Sequence, residues 1–592
     1  MKLLSDSLLN TLKKPLEIAK KPIESLKNRK PTVPNHKKTE HFFEEVHNIE
    51  DFINSIEKHG DKPALIWKES GVQRELSYSD LVKSVKEIAA GFAEEFGRNG
   101  TKIAVIGDSS PSWIMTYLAI IASGNTAVPM DKELAPEQIS LFFDVADVRA
   151  VAYTKSFNDI FPSIIQGHKS LKLLIPFEPD ESKLHKKAIP LSKFATAGKT
   201  AEDFVIDNDA ERCCELLFTS GTTGTSKCVM LCQRNVFETV TSACASVDFC
   251  KEDVLVSVLP LHHTYELTCS LAAFNYGCTI CINDSLRHVL RNFKEYRPTA
   301  LVLVPLFVST MYKKILSEAN KSGKGAILST ASTVAHYLSF AGIDISDKVF
   351  KDVREAFGGR LEKIICGGAA LDPKMIEIFD TFGISIYEGY GITECSPLVA
   401  VTPYFARKCG SVGPSVPCCE VKIEGSTTGE NGSIIGEILV SGKNVMLGYM
   451  NNEAANNEVF TDDGWFRTGD MGYLDKDGYI YITGRKKSVI VLESGKNVFP
   501  EEIEEYLGAI DEIAESVVVG RVEEEKTKLT AVVFPNYEKY DKLSDSEITE
   551  QIQKKVTALN KKLPSFKQIH RLEFRKTEFE KTTTKKIKRH LV

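Results

Sequence analysis

Short apolar runs rich in β-branched residues alternate with stretches of helical periodicity from about residue 42 to residue 400. Apolar runs of strand length, separated by helical segments, are typical of buried strands in parallel sheets covered by helices. The runs lie at residues 103–106, 150–153, 215–218, 254–259, 300–304 and 363–366. The pattern therefore predicts an α/β fold with a large N-terminal domain of two mixed or parallel sheets covered by helices.

The hydrophobic pattern changes twice after residue 400. Between about residues 405 and 483, brief strands are separated by Gly- and Asp-rich turns, which predicts a small β-barrel-like subdomain within the large domain. After Gly484, one helix and two strands predict a separate, small α+β C-terminal domain. The predicted parts are an N-terminal extension over 1–41, a large domain over 42–483 and a C-terminal domain over 484–592.

The N-terminal extension has its own pattern, in which Leu4, Leu8, Leu12 and Leu16 recur at helical spacing among lysines. A basic amphipathic helix of this kind can lie on an anionic membrane surface, although Pro15 interrupts it. Peripheral contact with the inner membrane face is one interpretation. A solvated tail and a helix docked on the body of the protein are the others.

Composition and charge narrow the class of protein. The chain has 592 residues, of which 43% are hydrophobic and 26% charged, so it must bury cores. Its net charge of -6 gives no global attraction to nucleic acid, and no apolar run approaches the length of a transmembrane helix. We therefore expect small-molecule partners and no nucleic acid, while the oligomeric state is left open.

All 14 cysteines lie between Cys213 and Cys419. Several are adjacent in the sequence, and the pair Cys278 and Cys281 has no second pair at zinc-site spacing to accompany it. The pattern predicts reduced, buried thiols rather than a disulfide framework, which is typical of a cytoplasmic protein. No metal site is assigned to cysteine.

The strongest local signal is a loop of glycines and hydroxyls that follows an apolar strand and ends at Lys227. Glycines let backbone N–H groups approach an anion, hydroxyls donate further hydrogen bonds, and the lysine supplies charge. It is not a Walker A loop, because two residues separate the last glycine from the lysine. The loop is Thr219-Ser220-Gly221-Thr222-Thr223-Gly224-Thr225-Ser226-Lys227. The sequence thus predicts a polyphosphate site.

This loop resembles the phosphate loop of the AMP-forming acyl-adenylate superfamily, which includes acyl-CoA synthetases, peptide-synthetase adenylation domains and luciferases. Further motifs follow in the order typical of that family, from about residue 45 to the end of the chain. They are Leu259-Pro-Leu-His262-His263, Gly367-Gly368-Ala369-Ala370, Tyr390-Gly391-Ile-Thr393-Glu394, Arg467-Thr-Gly-Asp470, Gly484-Arg485-Lys-Lys487 and a terminal Lys586.

The resemblance implies ATP, Mg2+ and CoA as cofactors and substrates, and it assigns roles to matching residues. The resemblance assigns catalysis to Lys586, Glu394 and Thr223. It assigns metal binding to Glu394. ATP or AMP would contact Thr219, Ser220, Gly221, Thr222, Thr223, Gly224, Lys227, Gly368, Ala369, Tyr390, Gly391, Thr393, Asp470, Arg485 and Lys586. By their residue types alone, Tyr390 also fits a core tyrosine and Asp470 a helix cap.

A domain rotation is the second implication of the resemblance. Lys487 matches the hinge, and Gly495 matches a position that lines the pantetheine tunnel, where a side chain would not fit. The terminal loop departs from the family pattern, since Lys585 replaces the usual glycine and Glu580 the usual proline. This departure leaves open whether Lys585 shares the role of Lys586.

The motifs look most like the long-chain fatty acyl-CoA synthetase branch. His263 matches a histidine that borders the acyl pocket in relatives, and a structural histidine is the other interpretation. The resemblance implies ATP-dependent formation of an acyl-adenylate, release of pyrophosphate, and transfer of the acyl group to CoA. The alternatives are an acyl-acyl carrier protein synthetase and a non-catalytic nucleotide- or lipid-binding relative.

Overall fold

The computed structural model describes residues 42–592 except 197–203, 220–225, 324, 340–344, 429–431, 493–496, 524–525, 538–539, 541–542 and 582–586. Several predicted features lie outside the described residues. They are the N-terminal amphipathic helix, the loop residues Ser220, Gly221, Thr222, Thr223 and Gly224, the tunnel residue Gly495, and the terminal Lys585 and Lys586.

The described chain divides into two units. The second unit comprises Val421–Val440 and Val459–Val592, and the first comprises the described residues before Val421 together with Ser441–Glu458. The β-rich segment and the C-terminal segment thus fall mostly in one unit. The domain boundary at residue 484 stays a prediction.

The strands are numbered here in chain order. They are β1 Pro63–Glu69, β2 Val72–Ser77, β3 Lys102–Ile106, β4 Thr126–Met130, β5 Ala150–Tyr153, β6 Leu173–Pro176, β7 Cys213–Thr219, β8 Lys227–Cys232, β9 Val254–Ser257, β10 Thr279–Ile282, β11 Ala300–Leu303, β12 Lys363–Gly367, β13 Ser385–Tyr390, β14 Ala400–Val401, β15 Cys419–Thr428, β16 Ile434–Gly442, β17 Gly448–Tyr449, β18 Phe466–Leu474, β19 Ile480–Arg485, β20 Ile490–Val491, β21 Asn497–Val498, β22 Ile513–Glu523, β23 Lys526–Pro535 and β24 Arg571–Phe574.

The α-helices are numbered in the same way. They are α1 Ile49–Glu57, α2 Tyr78–Phe96, α3 Pro111–Ala122, α4 Pro136–Ala146, α5 Phe161–Gly167, α6 Leu191–Thr196, α7 Gln233–Ser246, α8 Thr264–Tyr276, α9 Val289–Tyr296, α10 Pro305–Lys321, α11 Gly325–Ser339, α12 Ser346–Val349, α13 Lys351–Ala356, α14 Pro373–Thr381, α15 Glu453–Val459, α16 Pro500–Gly508 and α17 Asp545–Asn560. Among the described residues, no helix is both long enough and apolar enough to span a membrane.

Two large sheets form the frame of the first unit. The seven-stranded sheet has the order β17-β8-β7-β4-β3-β5-β6, and it is parallel from β7 to β6 and antiparallel at β7–β8 and β8–β17. The eight-stranded sheet has the order β14-β13-β12-β11-β9-β10-β1-β2, with antiparallel strands only at its two edges. The predicted strands lie in these sheets, which confirms the α/β prediction.

Helix starts follow from local sequence. The side chain of Ser110 accepts a hydrogen bond from the backbone N–H of Trp113, and Pro111 occupies the first turn of α3, where its missing N–H costs nothing. Ser544 and Glu547 form a reciprocal capping box at α17. Central strands of the two large sheets are fully buried, for example β5 and β12. Both faces of each central strand therefore contribute to the core.

The second unit contains two main sheets. An antiparallel sheet of order β15-β16-β18-β19 occupies the region predicted to be β-rich. A three-stranded sheet of order β22-β23-β24 packs with α16 and α17 around a core that includes Ile503, Leu529 and Ile552. The helix and both strands predicted after Gly484 are thereby confirmed as α16, β22 and β23.

Candidate active site

The described ends of the predicted phosphate loop are the facing ends of two antiparallel strands. Thr219, the last residue of β7, pairs with Lys227, the first residue of β8, and the Thr219 hydroxyl donates to the Lys227 carbonyl at 3.5 Å. β7 also runs parallel to β4. The hairpin therefore fixes Thr219 and Lys227 at the carboxyl end of β7, the edge at which open α/β sheets bind ligands.

Lys227 and Glu394 both contact Tyr449, a residue that the sequence analysis did not select. The Lys227 Nζ lies 4.5 Å from the centroid of the Tyr449 ring. The Tyr449 hydroxyl donates to Glu394 Oε1 at 2.8 Å. Burial, and next the charge of Glu394, raise the pKa of the Tyr449 phenol, so it stays protonated and donates this bond.

Tyr449 is held firmly by its backbone. It belongs to β17, which pairs with the middle of β8 through Val229 and Met230. Its N–H donates to Asn456 Oδ1 at 2.7 Å, and Asn456 Nδ2 donates to its carbonyl at 3.0 Å. With 4% of its surface exposed, the side chain has little freedom to leave the strand that carries Lys227.

The predicted adenine-binding residues lie at the carboxyl ends of two neighbouring strands. Tyr390 ends β13 and is 7% exposed. Gly368 and Ala369 follow β12 directly, and the β12–β13 register pairs Gly367 with Gly389, so both segments reach the same edge. Gly368 has a φ of +85° and is exposed. Stacking of a purine on Tyr390 stays a prediction.

Gly391 follows Tyr390 and leads into a short 3-10 helix over Thr393–Cys395, which carries Glu394. A Cβ at Gly391 would lie 1.4 Å from the carbonyl oxygen of Pro397, a clash with backbone. The glycine is therefore required by close packing at this turn. The Glu394 carbonyl also accepts the Met446 N–H at 2.9 Å, which ties this turn to the segment before β17.

His263 occupies the N-cap position of α8. Its ring centroid lies 4.2 Å from that of His262, and His262 Nε2 lies 3.6 Å from an Asp131 carboxylate oxygen just after β4. The Tyr265 hydroxyl donates to the carbonyls of Leu303 and Ile365 at 3.1 and 3.0 Å, which fastens the start of α8 to β11 and β12. The assignment of His263 to an acyl pocket stays a prediction.

In the second unit, Asp470 and Arg485 form an ion pair. They are direct partners in the β18–β19 register, and Arg485 Nε lies 2.7 Å from Asp470 Oδ1. The Asp470 side chain is 6% exposed, whereas that of Arg485 is 49% exposed. The two residues that the resemblance assigns to the nucleotide are thus neighbours, and the arginine orients the carboxylate.

Lys487 is exposed in a short 3-10 helix over Lys486–Ser488, directly after β19. The neighbouring Lys486 Nζ lies 2.7 Å from Glu437 Oε2. On either side of the segment that contains Lys586, Lys581 and Ile587 form an antiparallel bridge. The hinge role of Lys487 stays a prediction, and the roles of Gly495 and Lys586 concern residues outside the described chain.

Comparison with known families identifies both parts of the chain. A family model described as "AMP-binding enzyme" matches residues 52–450, and one described as "AMP-binding enzyme C-terminal domain" matches residues 487–592. The chain is 30% identical over 471 residues to the long-chain-fatty-acid–CoA ligase FadD15 of Mycobacterium tuberculosis, covering 76% of each chain. It is 30% identical over 483 residues to human long-chain-fatty-acid–CoA ligase ACSBG1, covering 77% of this chain and 66% of that one.

Solved structures share the fold. ATP-bound MatB from Rhodopseudomonas palustris superposes with a TM-score of 0.71 at 24% identity, covering 91% of this chain and 98% of its own. A Mycobacterium tuberculosis fatty acyl CoA synthetase gives a TM-score of 0.61 at 20% identity, covering 92% and 97%. The family suggested by the order of the motifs is confirmed, and this chain belongs to the AMP-binding enzyme family.

Proposed function

We propose that this protein is an AMP-forming long-chain fatty acid–CoA ligase. In the first half-reaction a carboxylate oxygen of the fatty acid attacks the α-phosphorus of ATP. The bond from the α-phosphorus to the oxygen that bridges the α- and β-phosphates breaks, and pyrophosphate leaves. In the second, the thiolate of CoA attacks the acyl carbonyl, the bond to the AMP oxygen breaks, and acyl-CoA and AMP are released.

One observation carries the proposal: Lys227 and Glu394 meet on Tyr449. A cation and a carboxylate from distant motifs converge beside the described ends of a Gly- and hydroxyl-rich loop. A polyphosphate needs a cation against its oxygens and a carboxylate to hold its metal. An unrelated binding module would have no need for both groups at one place.

The first half-reaction brings an anion to a polyanion, so positive charge must be held near the phosphates. We assign Lys227 and the loop from Thr219 onward to the β- and γ-phosphates. Lys586 is assigned to the α-phosphate, because it matches the catalytic lysine of the family's terminal loop and its ammonium can stabilise charge on the transferring phosphate. Thr223 would add a hydroxyl donor to the leaving pyrophosphate.

Glu394 fits a magnesium ion. Mg2+ takes one or two carboxylate oxygens together with substrate phosphates and water. Tyr449 uses only Oε1, and within the described chain Oε2 accepts no hydrogen bond, which leaves a hard oxygen donor. When bound, the ion would neutralise charge on the phosphates of ATP.

We assign the nucleoside part of ATP to the residues that the resemblance selected for it. Stacking on the purine is assigned to the ring of Tyr390, which is 7% exposed and ends its strand at the edge where Gly368 and Ala369 are exposed. The oriented carboxylate of Asp470 is suited to accept both ribose hydroxyls, with Arg485 beside it. Thr393 supplies a hydroxyl in the turn that carries Glu394. Gly391 provides the close packing of that turn.

Two half-reactions at one site require Lys586 to withdraw before the thiol enters. We assign the rotation to Lys487 and the pantetheine tunnel to the segment around Gly495. The relatives' names favour CoA over an acyl carrier protein as the acceptor and a long-chain acid as the substrate. His263, at the start of α8, is assigned to the border of the acyl pocket.

The test is pyrophosphate release from a panel of fatty acids of graded chain length, with ATP and Mg2+, with and without CoA. We expect a burst without CoA and steady turnover with CoA, largest for long chains. Lys586→Ala should slow adenylation by about 100-fold or more while sparing thioester formation from supplied acyl-adenylate. Release by no acid contradicts the proposed activity, and equal loss of both half-reactions contradicts the rotation.

We assign the protein to the cytoplasm and its N-terminal extension to peripheral contact with the inner membrane face. A chain that lacks residues 1–41 should sediment less with anionic vesicles than the full chain does, and high salt should reduce the difference. Equal sedimentation of the two proteins would contradict this assignment. Soluble turnover with ATP and acid serves as the control for folding.

A further inference from the structure

Two side chains of opposite charge, Lys227 and Glu394, contact different parts of the buried Tyr449 side chain. The Lys227 ammonium lies over the ring face of Tyr449, at 4.5 Å from the centroid, and Glu394 accepts the ring's hydroxyl at 2.8 Å. Within the described part of the chain, neither Lys227 nor Glu394 forms an ion pair with a residue of opposite charge.

The chemistry of tyrosine suits both neighbours. The face of an aromatic ring attracts a cation without neutralising it, and a phenol donates to a carboxylate without carrying a charge. Tyr449 is also rigid, because β17 pairs with β8 and Asn456 bonds to both of its backbone polar groups. A rigid neutral spacer of this kind keeps the two charges separate.

We propose that Tyr449 is a positioning residue for adenylation that keeps Lys227 and Glu394 apart, so that the cation remains available to phosphate and the carboxylate to Mg2+. The inference rests on the proposed function, because it takes the roles of Lys227 and Glu394 from there. Without the ring, the two side chains can form a direct ion pair, which would neutralise both groups before ATP arrives.

Two variants of Tyr449 separate its two contacts. Tyr449→Phe keeps the ring under Lys227 and removes the bond to Glu394, so Mn2+ should bind the ATP complex about tenfold more weakly, while metal-free ATP binding is unchanged. Tyr449→Leu removes both contacts, so metal-free ATP binding should also weaken by about tenfold. Mn2+ binding is measured by electron paramagnetic resonance and metal-free ATP binding by calorimetry.

A double variant tests the spacer mechanism directly. If a direct ion pair forms in Tyr449→Leu, removing the negative charge with Glu394→Gln in the same chain should restore metal-free ATP binding to within about twofold of wild type. A merely structural role for Tyr449 predicts no such rescue, because the packing defect would persist. Absence of rescue therefore overturns the inference.

Tyr296 provides the matched control. Lys68 Nζ lies 5.5 Å from the centroid of its ring, and its buried hydroxyl makes no hydrogen bond within the described chain. Tyr296→Phe and Tyr296→Leu should leave Mn2+ and ATP binding unchanged, and thermal unfolding of all variants identifies any that fail to fold. Tyr449→Phe removes only one oxygen atom. Its Mn2+ binding therefore still tests the inference if Tyr449→Leu does not fold.

Single substitutions in the wild-type background separate this inference from the proposed function. Glu394→Gln should weaken Mn2+ binding, and Lys227→Met should weaken metal-free ATP binding. If both singles bind like wild type, the site assignment fails and the inference falls with it. If both weaken binding but Tyr449→Phe retains wild-type Mn2+ affinity, the spacer role alone is overturned.

Discussion

Glu215 is a buried acid in β7, the strand that leads to the phosphate loop, and its ionisation should make the stability of the protein depend on pH. The residue is 1% exposed, and burial raises its pKa from 4.5 to about 8. The folded protein therefore holds this carboxyl in its neutral form at pH 7, whereas the unfolded chain ionises it. Glu215→Gln keeps the shape of the side chain and removes the ionisation.

The size of the effect follows from the two pKa values. A group whose folded pKa lies above its unfolded pKa contributes stability in full below pH 4.5 and loses it as the pH rises toward 8. At about 1.4 kcal/mol per pKa unit, the free energy of unfolding contributed by Glu215 falls by roughly 3 to 4 kcal/mol between about pH 5 and about pH 8. The glutamine variant lacks this loss.

Urea unfolding at several pH values measures the difference. We expect the free energy of unfolding of Glu215→Gln to rise steadily relative to that of wild type from about pH 5 to about pH 8. The total rise should be roughly 3 to 4 kcal/mol. Glu75→Gln, at an exposed position of β2, is the control and should run parallel to wild type. If the difference between Glu215→Gln and wild type is the same at every pH, the folded protein does not hold Glu215 in its neutral form.

Three further predictions concern single contacts. Lys363→Met removes the ammonium that lies 2.8 Å from the 5%-exposed Asp253 carboxylate, so the free energy of unfolding should fall by about 3–5 kcal/mol. A loss below about 1 kcal/mol in urea unfolding would contradict a buried ion pair. Gly391→Ala places a Cβ 1.4 Å from a backbone oxygen and should lower the midpoint of thermal unfolding sharply, whereas Gly389→Ala, whose Cβ would lie 3.8 Å from its nearest atom, should not. Similar midpoints for the two variants would count against close packing at Gly391. Asp470→Asn should weaken ATP binding by about tenfold to 100-fold in calorimetry, and unchanged affinity would argue against a ribose contact.

The sheets were predictable because their strands are short, continuous apolar runs. Residues 150–153 and 363–366 are buried on both faces, and the hydrophobic pattern records that burial directly. α16 is only partly buried, and its signal is instead the helical spacing of the buried residues Ile503 and Leu507. Local pattern is sufficient when the whole element is buried.

The partners within the site were not predictable from local pattern. Tyr449 belongs to a strand of two residues, too short to produce a periodic signal, and its pairing with β8 joins segments far apart in the sequence. The pairing of Asp470 with Arg485 depends on a strand register that shifts between Met471 and Gly472. The signal available for Tyr449 was an aromatic residue after a glycine just past an apolar strand, which is common to many turns.

In the proposed reaction, the fatty acid's own carboxylate attacks the α-phosphorus of ATP. This attack can be followed with a long-chain acid that carries 18O in both carboxylate oxygens. After a turnover with CoA, the products are analysed by mass spectrometry. We expect one 18O in AMP, because the attacking oxygen stays on phosphorus, and one in the thioester carbonyl. AMP without 18O would contradict it.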